Sequence, residues 1–471
     1  MKPRGKILYV LSAVILVTIT IVFTIFPSSP IFHTNDVNSY VFKADLGDLA
    51  KEVSFYYVEY LSPEFLSLLN NVGLDKAVKQ LDRDKAVLER SLVFVHSKRV
   101  AKNLPWYTEL LTRILSTCRK CAVAYLNIDP KVRGLEAEAV DSYSAVLKAL
   151  GSIGVEPIIP LSPDQPVNND KLGIGLIHPV LESADMIVFT ADPPGLIIVE
   201  TLSVKDFHIV LGAVLEWSEL LSQSEIPPEA RIPHQSMVSG PTNMLLLGYI
   251  GWITNSTYGR GCGEETGRQY VYTRYYYGNV TAATGVTYHV WYVYTMHAGV
   301  GFKTTCTWQT YNHYPRLFET TIHWRTDTWP GQVLDDWQPK NVGSARTIQY
   351  SMSAGISAGT RNMQVSVSYS TGFTEPYAPY FTVTDHTNPD MGRVRVRHWV
   401  ERGGFSESRL NNMVFTVEPS SFGFLDPNKP GGVMPMIIYQ SFYMELNTGD
   451  SVNIAFQAYL RDSSYSVYIR S

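Results

Sequence analysis

The chain has 471 residues, room for roughly three domains of about 150 residues each, and is 45% hydrophobic, 17% charged and 12% aromatic. That balance excludes a disordered, collagen-like or low-complexity scaffold. Lys+Arg number 39 against 43 Asp+Glu, a net charge of -4, so no broad positive field exists to hold nucleic acid, and none is expected as a partner.

Ile7 to Phe26 form an uncharged, mostly apolar run, long enough at about 1.5 Å per residue to match a hydrocarbon core of about 30 Å. Lys2, Arg4 and Lys6 precede it, which predicts a single-pass transmembrane helix with a cytoplasmic tip, the bulk of the chain lying outside the cell. Residues 1–30 are thus expected as tip and anchor, with the membrane as a partner through residues 7–26, and 31–50 as a linker.

From 51 to 224 short apolar runs alternate with amphipathic stretches, the pattern of a doubly wound, mainly parallel α/β domain. The predicted strands are 52–59, 91–96, 122–127, 155–160, 173–177, 185–190 and 196–200. Helices are predicted over Trp106 to Thr117, Glu136 to Leu150 and Asp206 to Leu221. A linker at 225–245 carries Pro227, Pro228, Pro233 and Pro241, through which no helix can run. Beyond it, 246–471 is rich in Tyr, Trp and β-branched residues in short runs such as Gln269 to Tyr277, Val286 to Tyr294 and Val452 to Tyr459. This predicts an antiparallel β-sandwich or jelly roll.

Cys118 and Cys121 have redox or half-zinc spacing, but they follow a predicted helix, where the dipole disfavours a thiolate, and no second ligand pair accompanies them. They read as a small disulfide or two thiols. Cys262 and Cys306 are expected to pair in an oxidising exterior. Asn255 and Asn279 open Asn-x-Ser/Thr triplets in turn-like surroundings and are candidate glycosylation sites.

In an open α/β sheet ligands gather at the carboxyl ends of the strands, which makes His96, Asp129 and Asp192 candidate ligand-binding residues, with Asn127, Asp164, His178 and Glu200 at similar positions. Phosphate-cradling glycine motifs and His-Glu-x-x-His are missing from the sequence, and no cofactor, metal or catalytic residue is predicted. In Arg393-Val394-Arg395-Val396-Arg397 the period of two puts three guanidinium groups on one strand face, a grip for an acidic glycan or an array of structural ion pairs. Ile348 to Ala358 and Met363 to Ser370 alternate apolar residues with Gln, Ser and Gly. That pattern fits a membrane-barrel hairpin and equally a sandwich hairpin with one face in the core; the sandwich is the expectation.

These features predict an anchored extracytoplasmic protein with a binding, adhesive or envelope-structural β domain that meets a surface glycan or another envelope protein. The alternatives are an anchored hydrolase acting on glycans or peptides, and a ligand sensor working through the α/β domain.

Overall fold

The computed structural model describes residues 51–82, 89–118, 120–127, 184–191, 194–202, scattered positions between 203 and 220, and most of 244–470. Ile7 to Phe26, the predicted strands 155–160 and 173–177 and most of the predicted helices Glu136 to Leu150 and Asp206 to Leu221 lie outside the described residues.

The strands of the first half are continuous apolar runs. β1 (Ser54–Tyr57), β2 (Val78–Gln80), β3 (Ser91–His96) and β4 (Ala122–Leu126) are mutually parallel in the order β2-β1-β3-β4. All six residues of β3 and all five of β4 are buried, as expected of strands covered on both faces. Helices accompany them. α1 (Pro63–Asn71) starts at Ser62, whose hydroxyl accepts from the Phe65 amide, with Pro63 in its first turn. α2 (Ser97–Lys102) is followed by α3 (Leu104–Thr117), which ends where Cys118 turns extended.

After β4 the sheet departs from the doubly wound pattern. β5 (Met186–Ala191) runs antiparallel to β4, and β6 (Pro194–Val199) antiparallel to β5. β6 then pairs in parallel with β7 (Leu245–Thr257), Gly195 opposite Tyr249. The Tyr249 ring lies where a Gly195 Cβ would stand, and its hydroxyl is hydrogen-bonded to Thr190. Only glycine admits so close an approach.

β8 (Glu265–Thr281) and β9 (Thr287–Gly301) continue the sheet antiparallel, and it closes on β20 (Ser420–Leu425) and β13 (Gln332–Gln338), with β19 (Val414–Val417) also on β9. The result is one mixed twelve-stranded sheet. Instead of a doubly wound α/β domain and a separate β-sandwich joined by a linker, the chain is predominantly β, with both halves hydrogen-bonded into the same sheet. Hydrophobic runs report burial on both faces; they do not report strand direction, which is why the mixed sheet was not predicted.

Against the later strands of this sheet packs a second, all-antiparallel sheet of seven strands. Its order is β14 (Val342–Ala345), β17 (Tyr380–Asp385), β18 (Arg393–Glu401), β12 (Pro315–His323), β21 (Met436–Leu446), β22 (Ser451–Leu460) and β23 (Tyr465–Arg470). Small ladders complete the set: β10 (Lys303–Thr305) with β11 (Thr310–Asn312), and β15 (Thr347–Ala354) with β16 (Met363–Gly372). Polar bridges cross between the large sheets. Tyr275 on β8 donates to Gln440 on β21 at 2.6 Å, and the Trp324 indole donates to Ser421 on β20 at 3.0 Å. A short helix, α4 (Glu407–Leu410), precedes β19.

Among the described residues no helix is long and apolar enough to cross a membrane. The expected single-pass anchor and the cell-membrane placement built on it are therefore not supported.

Candidate functional site

Among the described residues the hairpin β15–β16 is hydrogen-bonded as a two-stranded ladder of its own. In the chain it follows β14, at the edge of the seven-stranded sheet, and precedes β17. Among the described residues it pairs with neither large sheet, while β15 lies beside β13 and β16 approaches β19, both of the twelve-stranded sheet. Thr347 pairs with Gly372, Tyr350 with Tyr369 and Met352 with Val367. Residues directly opposite in an antiparallel pair share a face. One face therefore carries Ile348, Tyr350, Met352, Val367 and Tyr369, and the other Gln349, Ser351, Ser368 and Ser370. From Thr347 to Gly372 the only charged residue is Arg361, in the segment between the two strands, which lies outside the described residues.

β18 places Arg393, Arg395 and Arg397 outward and half-buried, while Val394, Val396 and His398 point inward. Arg395 makes a fork with Glu319 on β12, Nε to Oε1 at 2.9 Å and Nη2 to Oε2 at 3.0 Å, and Arg397 reaches the same carboxylate. Burial pushes Glu319 up, but the hydrogen bonds and charges of the two arginines outweigh it and hold its carboxyl below the usual range. Two of the three guanidinium groups thus converge on one neighbouring acid. Arg393 stands opposite His323, and across β12 the same rows continue into Tyr443, Ser441 and Tyr439 of β21.

Of the strand-end candidates, His96 is buried, and its Nδ1 accepts from the Lys98 amide at 3.3 Å as the N-cap of α2, with Tyr60 edge-on at 5.6 Å. Asn127 accepts from Ser97, and Glu200 from the Trp252 indole and Thr254. Asp129 and Asp192 lie outside the described residues. Cys118 and Cys121 form a disulfide. Cys306 is disulfide-bonded, and Cys262 lies outside the described residues. Asn255 sits within β7 opposite Arg268, and exposed Asn279 within β8 opposite His289, so neither occupies a turn. Among the described residues no three His, Cys, Asp or Glu side chains gather as metal ligands.

Two histidines lie buried between the sheets, a depth that sequence does not reveal, since a histidine in an alternating strand carries no mark of it. His297 of β9 is pinned by Gln269 at 2.7 Å and Thr320 at 3.0 Å, with Phe318 and Phe442 edge-on to its ring. His398 of β18 lies edge-on to Phe381, and neither of its ring nitrogens has a partner among the described residues. Burial lowers both to about 3.

No family model matches the chain, and no curated protein does. Solved structures with similarity include a Clostridium perfringens delta-toxin at 10% identity, covering 46% of this chain and 97% of that one with a TM-score of 0.29. A pore forming protein shows 9% identity over 49% of this chain and 100% of its own, also at 0.29. The collagen binding subdomain of the Enterococcus faecalis surface protein ACE shows 9% identity over 41% and 96%, at 0.16. Likenesses at these scores assign neither fold nor activity.

Proposed function

We propose that this chain is a non-catalytic surface-contact protein that crosses a lipid bilayer with strands, through the hairpin β15–β16. The observation that carries the reading is the composition of that hairpin in its register: an apolar face, a Ser/Gln face, and no charge along either strand. A bilayer-crossing strand needs about 9 to 11 residues, alternating lipid-facing apolar and lumen-facing polar positions. β15 has 8 residues and β16 has 10, close to that requirement. One hairpin alone would leave its edge amides and carbonyls unsatisfied in hydrocarbon, so crossing demands that several copies close a barrel.

Release of a trapped dye from phospholipid vesicles by the full chain tests this. Met352→Lys, on the apolar face, is expected to abolish release, and Ser351→Lys, on the polar face, to preserve it. Absence of release by the unaltered chain over a range of lipid composition and pH, or equal loss in both variants, would overturn the proposal.

A second reading is favoured by the aligned outward rows of Arg393, His323 and Tyr439 and of Arg397, Glu319 and Tyr443. Arg and Tyr dominate contact surfaces, so that face would bind a surface glycan or another envelope protein without the hairpin. Replacing Arg393 and Tyr439 together by Ala should then reduce attachment to cells and leave vesicle release intact.

A further inference from the structure

His398 lies on β18, one strand in from the β14–β17 edge of the seven-stranded sheet, between Val383 of β17 and Phe318 of β12. Its ring is fully buried, and neither nitrogen has a hydrogen-bond partner among the described residues. Phe381 of β17 meets it edge-on at 6.5 Å and in turn meets Phe415 of β19 edge-on at 6.3 Å. His297, on the facing sheet, differs: Gln269 and Thr320 hydrogen-bond its two nitrogens. A charged His297 therefore has polar neighbours, whereas a charged His398 has none until water reaches it. No carboxylate offsets the burial of His398, and a charged His297 would repel it. The next inward group on β17 is Asp385, which accepts from the Trp337 indole at 2.8 Å and from the Thr387 amide at 2.9 Å.

We propose that acid detaches the β14–β17 edge from β18, with His398 as the trigger, and thereby frees the hairpin that this edge holds in place. Taking up a proton at His398 favours whichever state wets the ring. The least disruptive such state breaks one ladder, Tyr380 to Asp385 against Glu401 to Val396, and leaves β18 on β12; edges open locally in this way below the cost of global unfolding. β14 ends at Ala345 and β15 begins at Thr347, while β17 is the next strand after β16, so the strands that move are those flanking the hairpin in the chain. The consequence for the hairpin rests on the bilayer-crossing reading; the opening of the edge does not.

Hydrogen exchange of the full chain at pH 7 and pH 5, each rate divided by that of an unstructured amide at the same pH, tests the proposal. With a proton taken up near 6.5 in the open state and about 3 in the closed one, protection of Tyr380–Asp385 should fall about 30-fold at pH 5. Protection of β12 and β21 should change much less. His398→Phe should remove the acid-dependent fall, with His398→Leu as a smaller apolar replacement should the phenyl ring disturb packing, and Asp385→Asn should retain it. Equal protection at both pH values, a fall of the same size in β12 and β21, or an acid response that survives both His398 variants would overturn the proposal. Dye release on the same proteins is expected to rise at pH 5 in the parent and not in the His398 variants. Edge opening with no release at any pH would sink the bilayer reading and leave the trigger standing, and release without edge opening would do the reverse.

Discussion

Two hairpins in this protein, β21–β22 and β15–β16, share a period of two and similar lengths, and they differ in what flanks them. β21 is bonded to β12 on one side and β22 on the other. Met436, Ile438, Gln440, Phe442, Met444 and Leu446 point into the core and are buried, and Tyr439, Tyr443 and Glu445 face outward. Its turn closes through Gly449 at φ 89°, a left-handed position that glycine occupies without cost. Among the described residues β15–β16 pairs with itself alone, and it has Ser and Gln where β21 carries Tyr and Glu. Alternation therefore states that a strand has two unlike faces, and its neighbours decide what those faces meet.

The sharpest way to break the comparison is to place the same charge in each hairpin. Phe442→Asp buries a carboxylate beside His297 and should prevent cooperative folding, a loss of more than about 4 kcal/mol. Val367→Asp should leave the thermal transition close to the parent's and eliminate dye release. If calorimetry shows Val367→Asp unfolding as Phe442→Asp does, the free hairpin is a core element and the contrast fails.

Acid should separate the two regions next. The unfolded chain protonates His297 and His398 near 6.5, whereas in the fold burial delays this to about 3. Between these values the unfolded state binds more protons, so stability falls as pH drops below about 6.5 and is insensitive to these groups above it. By pH 5 the loss is on the order of 2 kcal/mol for each histidine. Urea midpoints at pH 7 and pH 5 measure it, and His398→Phe should remove its share. Equal midpoints would show that the sandwich does not hold these rings neutral.

A smaller effect is expected at the outward face of β18. Glu319→Gln leaves Arg395 and Arg397, both about a third exposed, without their shared anion, and should cost about 1 kcal/mol, read as a lowered urea midpoint. The smallest concerns the one charge in the sequence between β15 and β16. If β15–β16 lines a pore, Arg361→Glu should shift ion preference from anions toward cations, read as a reversal-potential change across a planar bilayer with unchanged conductance steps.

Local structure was more legible in the sequence than assembly. The predicted strands 91–96 and 122–127 and the helix Trp106 to Thr117 coincide closely with β3, β4 and α3, because continuous apolar runs and helical spacing are local signals. Strand partners are set by contacts distant in sequence. Nothing in Leu196 to Val199 marks them as neighbours of Ile250 to Ile253, so the two halves were read as two domains. Arg393, Arg395 and Arg397 were correctly placed on one face by their period, yet the partner of two of them, Glu319, lies 76 residues from Arg395.

The parallel pairing of β6 with β7 carries one more consequence. Parallel neighbours require the intervening chain to travel back along the strand direction before it re-enters the sheet, so the proline-bearing segment between Val199 and Leu245 returns the chain within a body instead of tethering two. A protease that cut there would produce two polypeptides and a single particle, its fragments held by the β6–β7 ladder and by Tyr249 seated over Gly195. On a denaturing gel such a nicked protein would separate into two bands, while on a sizing column it would elute as the intact chain does.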